Sequence, residues 1–221
     1  MNRSTRLVAA ALTASAVLLL TACGGSSDDE KDNKKIAGAD TDSAKSASPP
    51  SSGAADGVDR PKIKLPSDMK NVFEGRQTGD AVKDAVLADN ERRVSAVDAA
   101  LASGDLKHSA VAFYATDQAL VGLYKYTKNN IDKSISWTGT ARYFKRQVTV
   151  FDKKSAAVTY CVDESKTNLK NRKTNKVIKS DTQPNDPENY VFYNTGLKKN
   201  KDGVWQTWSL SEDRGSQKCR P

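Results

Sequence analysis

The chain has 221 residues, with 35 Lys and Arg against 27 Asp and Glu and a formal net charge of +8. Hydrophobic residues make up 37% and charged residues 28%, a size and composition that fit one ordinary domain, or two small ones, and exclude a large multidomain enzyme. The only long apolar run, residues 7–20, has fourteen residues, too few to cross a bilayer as a helix.

That run follows Arg3 and Arg6 and leads directly into Leu20-Thr21-Ala22-Cys23. A basic start, a short apolar stretch and a small-residue cleavage site form the pattern of an export signal. The four residues resemble the lipobox of bacterial lipoproteins. The resemblance implies that the Cys23 thiol receives a diacylglyceryl group and that residues 1–22 are removed as a signal peptide. It also implies that the mature chain begins at Cys23, carrying acyl groups of the palmitate type. Two acyl chains meet the two-signal requirement for stable anchoring, since each buried methylene contributes about 0.8 kcal/mol. Gly24 and Gly25 follow with no acidic pair, so the expected location is the outer face of the cytoplasmic membrane.

Residues 23–65 read as a polar tether. Between residues 24 and 60 the apolar side chains larger than Ala are only Ile36 and Val58, around Pro49-Pro50, and such a segment cannot bury enough surface to offset its ordering entropy. Its root-mean-square reach is on the order of 35 Å. The cluster Asp28-Asp29-Glu30-Asp32 lacks the turn Gly and distal Glu of a calcium loop and reads as solvated charge. Every aromatic residue lies at Phe73 or later, which places the start of the packed domain between Pro66 and Phe73. Residues 66–221 then form one domain without internal repeats.

Within that domain, Thr78-Gly79-Asp80 opens a helix over residues 81–103. Val82, Val86, Val94, Val97 and Leu101 recur there at three- and four-residue multiples, and Gly104 ends the pattern. A second helix is expected from Asp105 or Ser109 to about Lys128. After Asn130 the period becomes two. Ile135, Trp137, Ala141 and Tyr143 mark a half-buried strand, and Val148 and Val150 fall on the opposite parity, requiring a bulge near residues 144–147. Ala156, Val158, Tyr160 and Val162 mark another strand. Residues 169–178 read as a polar pair of strand ends or one exposed strand, and residues 190–197 and 204–210 complete the set through the Asp202-Gly203 turn. Helices followed by antiparallel strands give an α+β fold, with N-terminal helices packed on a curved antiparallel sheet.

Four segments carry a further likeness: residues 98–105 closing the first helix, Tyr114-Ala115-Thr116 in the second, Trp137-Thr138-Gly139 opening the sheet, and Gly203-Val204-Trp205 in the last strand. With the lipobox and tether they resemble the NTF2-like lipoproteins of actinomycete bacteria, whose domain is a cone-shaped α+β fold. The resemblance implies a cone whose interior can hold a pocket. Enzymatic members place Tyr, Asp or His groups there, but none of these is carried over to a residue of this chain. A cystatin-like or other helix-on-sheet arrangement is the competing fold.

With Cys23 lipidated, Cys161 and Cys219 remain as an even pair in an exported chain and are expected to form a disulfide. His108 is the only His, so zinc binding or thiol catalysis would lack its usual partners, and no metal or cofactor is expected. His108 with Asp105, Asp163 with Glu164, and Asp117 with Tyr124 are weighed as acid and base pairs, against capping, turn and helix-surface roles. No phosphate loop, nucleophile elbow or His-Glu-x-x-His occurs, and no catalytic residue is assigned.

Charge supplies the one partner clue. Between residues 142 and 179 stand eleven basic residues against three acidic ones. Among them Arg142, Lys145, Arg146, Lys170, Arg172, Lys173 and Lys176 are candidates for contact with anionic lipid heads or wall polymer. The alternative is a solvated rim that keeps edge strands from pairing. Nucleic acid is disfavoured outside the cell. The expectation is a lipid-anchored extracytoplasmic binding or accessory module of the cell envelope. A pocket enzyme of NTF2-like type and an accessory subunit of an envelope membrane protein are the alternatives.

Overall fold

The computed structural model describes residues 57–178 and 182–220. Cys23, the signal peptide and most of the expected tether lie outside the described residues. Packing begins earlier than the sequence predicts. Val58 and Ile63 lie against the helical part of the core, and Arg60 Nη1 pairs with Asp89 Oδ1 at 2.9 Å. Two isolated apolar residues and one cation in a polar run carry no periodicity, so only their partners reveal the contact.

Helix α1, Ala81–Ser103, is bounded as its sequence requires. The Asp80 carboxylate accepts from the backbone N–H of Val82 and Lys83, and Gly104 ends the helix at φ 73°. Val82, expected on the buried stripe, stands exposed in the first turn, whereas Asp89, Glu91, Arg93 and Asp98 are buried. The expected second helix is two: α2, Ser109–Tyr114, and α3, Asp117–Asp132. Ala115 is extended between them and bridges Thr207, and Thr116 N–H donates to the Thr207 carbonyl at 2.9 Å. A backbone hydrogen bond to the sheet here outweighs one continuous helix, which the apolar period alone could not reveal.

The sheet contains β1 Met69–Phe73, β2 Ile135–Val150, β3 Ser155–Asn171, β4 Val177–Ile178, β5 Tyr190–Lys199 and β6 Trp205–Arg214. Its order is β1-β2-β3-β5-β6, with β4 paired to the far end of β3. All pairs are antiparallel except β1 with β2. The sequence does not anticipate β1, because five residues without clean alternation give no strand signal. The parity slip in β2 appears as a register shift between Phe144 and Gln147, with Lys145 at φ 50°. Residues 169–178 form two strand ends, the tip of β3 and the short β4.

One part of the core lies between α1 and the sheet, where Val86, Leu87, Val158, Val191, Leu197 and Trp205 are buried. A second joins the end of α1 to α2 and α3 through Ala100, Leu101, Val111 and Tyr114. Each aliphatic or Phe-sized side chain fully buried this way contributes about 1.5–3 kcal/mol. Cys161 and Cys219 form the expected disulfide, Cα atoms 5.4 Å apart, packed with Phe144 and Tyr190. It fastens the C-terminal turn to the middle of β3. The α+β class, with helices on a curved antiparallel sheet and a disulfide, is therefore the fold observed.

Candidate functional site: a pocket between the helices and the sheet

The sheet curves around α1 and α3 without closing on them, leaving a cavity of about 470 Å³. Its walls come from Val94, Val97 and Leu101 on α1, Ala119 and Leu123 on α3, and Trp137, Val162 and Leu210 on the sheet. The volume falls within the range that encloses small organic molecules, about 300–1,000 Å³.

A row of rings crosses the sheet on the cavity side. Phe73 stacks on Tyr143 at 4.5 Å, Tyr143 lies 6.1 Å from Tyr160, and Tyr160 stacks on Tyr193 at 5.0 Å. Strand register places them so, because Phe73 pairs with Tyr143 and Tyr160 with Tyr193. Burial raises the pKa of Tyr143, Tyr160 and Tyr193, so each stays a neutral phenol near neutral pH. Arg93 Nη2 donates to the Tyr160 hydroxyl at 2.7 Å.

Asp98 is the central polar group. It is 7% exposed and sits four residues after Val94 and three before Leu101, on the stripe of α1 that faces the sheet. Trp137 Nε1 donates to Oδ1 at 3.0 Å, and Asn71 Nδ2 donates to Oδ2 at 2.7 Å. Burial pushes its pKa up to about 6, against the lowering effect of these two donors and of Arg93, with Glu164 adding a smaller push upward. The group therefore changes charge close to physiological pH. Nearer the outside, Arg214 Nη1 donates to Glu164 Oε2 at 2.8 Å, and Glu212 lines the same wall. Ser136, also on the cavity wall, has a buried hydroxyl without a protein partner.

Of the acid and base pairs weighed from sequence, Glu164 alone reaches the pocket. His108 caps α2, its Nδ1 accepting from Ala110 N–H at 3.4 Å, and the Asp105 carboxylate accepts from Lys107 N–H. Asp163 accepts from Arg142 and from Ser165 N–H, which hold its carboxyl below the usual range despite partial burial. Asp117 and Tyr124 are not on the pocket wall. Among the described residues no group of three or more His, Cys, Asp or Glu is placed to hold a metal ion.

The seven basic candidates do not form one free surface. Arg142 pairs with Glu74 and Asp163. The Arg146 side chain is 1% exposed and meets Glu91 Oε1 at 2.7 Å, and Lys145 donates to the carbonyls of Lys218 and Arg220. Lys170, expected to be exposed, is buried with Nζ 2.7 Å from Asp68 Oδ2. Arg172 packs over Gly104 at the end of α1 and donates to the Ser103 carbonyl. Lys173 and Lys176 remain exposed. Apart from Asp163 of β3, the carboxylates and carbonyls responsible come from α1, the residues flanking β1 and the C-terminal tail, remote in sequence from the basic run.

Sequence reasoning misses most of the pocket's own residues. The available signal is Asp98, a carboxylate at helical spacing within an apolar stripe. The tyrosines read as ordinary alternating strand residues, and Asn71 lies in a strand that local pattern does not mark.

No protein-family profile matches the chain, and no curated protein matches it. Solved structures do resemble it. A ketosteroid isomerase-like protein from Erwinia carotovora atroseptica is 18% identical at a TM-score of 0.36, over 59% of this chain and 96% of that one. Aln2 from a Streptomyces species is 12% identical at 0.40, over 68% and 94%. The intermembrane-space region of the chloroplast protein ARC6 is 15% identical at 0.38, over 59% and 97%. These likenesses assign this chain no activity.

Proposed function

We propose that the domain is a small-molecule binding module of NTF2-like architecture, held at the outer face of the cytoplasmic membrane through lipidated Cys23. The cavity of about 470 Å³ with Asp98 on its wall carries this reading. Val97, Leu101, Leu123 and Val162 supply apolar walls, the tyrosine row supplies faces for stacking, and Asp98 supplies an acceptor whose remaining lone pairs suit an amine or hydroxyl. The ligand is therefore a mainly apolar molecule bearing one hydrogen-bond donor.

The probe for this reading is 1-aminoanthracene, a flat apolar amine small enough for the cavity, titrated into the chain from residue 23 onward. Saturable one-to-one binding is expected. Asp98→Asn should weaken it about tenfold, the scale of one charge-assisted hydrogen bond, and Val97→Phe should block it by filling the cavity. Absence of saturable binding, or binding indifferent to both changes, rejects the pocket. The lipid anchor has its own test. Cys23→Ser should leave uncut, unacylated precursor, and correctly cut, membrane-bound mutant protein would reject the anchor.

A pocket enzyme is the second reading, favoured by the Asp98 pKa of about 6. A carboxylate balanced there can take and return a proton at neutral pH. Turnover that follows the ionisation of Asp98 and disappears in Asp98→Asn would establish it.

A further inference from the structure

Large apolar side chains stand exposed at seven described positions, and three of them belong to one hairpin: Leu169, Val177 and Ile178, each close to half exposed. Tyr126 of α3, equally exposed, lines the cavity together with Leu169. Leu169 is paired with Trp137 on one side and Ile178 on the other. Directly opposed residues project from the same face of a sheet, so Ile178 extends the cavity wall outward past its rim. The pocket thus opens beside an apolar edge.

Cations surround that edge. Lys173 and Lys176 lie in the turn between β3 and β4, and Arg172 N–H donates to the Ser134 carbonyl at 2.8 Å, which brings the turn beside Lys133 at the end of α3. Lys133, Lys173 and Lys176 are exposed and make no ion pair among the described residues. Three of the nearby acids are already engaged: Asp132 with Lys128, Asp68 with Lys170, and Glu164 with Arg214.

We propose that the hairpin tip docks on an anionic lipid bilayer, Leu169 and Ile178 entering the acyl boundary while Lys133, Lys173 and Lys176 meet the headgroups, so that the pocket opens toward the membrane. Apolar side chains ringed by unpaired lysines match the chemistry of an interfacial membrane contact. A protein partner of ordinary size would cover about 800 Å² on each side, far more than one hairpin edge offers. This inference rests on the pocket reading and deepens it, since a pocket opening on a bilayer takes an amphiphile drawn from that bilayer.

Co-sedimentation tests it, using the chain from residue 23 with Cys23→Ser so that no acyl group contributes. Vesicles of phosphatidylglycerol mixed with phosphatidylcholine are compared with phosphatidylcholine alone, at low and high salt. Binding to the anionic vesicles that is released by salt is expected. Each lysine near the surface contributes about fivefold, so the triple change Lys133→Ser, Lys173→Ser, Lys176→Ser should weaken binding about a hundredfold. Leu169→Ser with Ile178→Ser should weaken it at least about tenfold through lost apolar burial. Thermal melting of each variant confirms that it is folded. No binding by the parent, or variants that bind like the parent, overturns the docking. Titration of 1-aminoanthracene into the same samples separates the two readings. Dye binding without vesicle binding rejects docking and leaves the pocket, whereas vesicle binding without dye binding supports docking and rejects the pocket and its amphiphile.

Discussion

Trp137 Nε1 donates a 3.0 Å hydrogen bond to Asp98 Oδ1, joining the opening of β2 to the C-terminal part of α1 across 39 residues of sequence. The indole donor and the Asn71 amide hold the carboxylate at fixed positions on the pocket wall. The same burial that shapes the pocket also disfavours the charge on Asp98. Stability and the proposed ligand recognition therefore meet at one residue.

Burial raises the Asp98 pKa from 3.8 to about 6. The folded state then binds more protons than the unfolded state in this window, so the contribution is fully present below pH 3.8 and is lost as pH rises through about 6. The loss is on the order of 3 kcal/mol. Asp68 and Asp163 have lowered pKa values and slope the opposite way, so the informative quantity is the difference between parent and Asp98→Asn. Denaturant unfolding across this range should show that the parent loses stability relative to the variant as pH rises; parallel curves would contradict the assignment.

Gly139 has φ 106°, and a Cβ there would overlap the Lys166 carbonyl oxygen. It also pairs with Met69 and donates its N–H to the Asp68 carbonyl at 2.8 Å. Gly139→Ala should destabilise the domain by at least about 2 kcal/mol. Because β1 is displaced, the same change should loosen the Asn71 contact with Asp98. Calorimetry showing an unchanged melting temperature would contradict this.

Lys170 shows why a basic residue in a polar strand cannot be assumed to be surface charge. Replacing it by Ser removes its buried stem and leaves Asp68 without its main partner, for a loss of about 1–2 kcal/mol after discounting the half-exposed carboxylate. Lys170→Met keeps the stem and should lose less. Lys173→Ser and Lys176→Ser should each change stability by less than about 0.5 kcal/mol. Equal urea midpoints for Lys170→Ser and Lys173→Ser would remove the distinction.

The disulfide spans 58 residues. On the chain-entropy account a loop of that size stabilises by about 4 kcal/mol, which corresponds to a melting shift of roughly 10 °C in a domain of this length. Cys161→Ser with Cys219→Ser should produce that shift and free the C-terminal turn, which becomes accessible to carboxypeptidase. Equal melting temperatures and equal protease resistance would show that the tail is held by other contacts.

The sequence by itself determined what depends on short-range chemistry. Asp80 and Gly104 bound α1 because capping acts within one turn, and the parity change between Tyr143 and Val148 marked the β2 bulge because side chains alternate strictly along a strand. Cys161 and Cys219, the even pair left once Cys23 is set aside, indicated their own pairing. Tertiary structure alone decided which polar groups are buried and what they face. Asp98 became a pocket carboxylate only where α1, β1 and β2 meet, and Lys170 and Arg146 left the surface only because Asp68 and Glu91 arrive from distant segments. The break at Ala115 required the Thr207 carbonyl of the last strand. Desolvation and pairing are set by distance in space, and the partners here are separated by 39, 55 and 102 residues, beyond the reach of any local pattern.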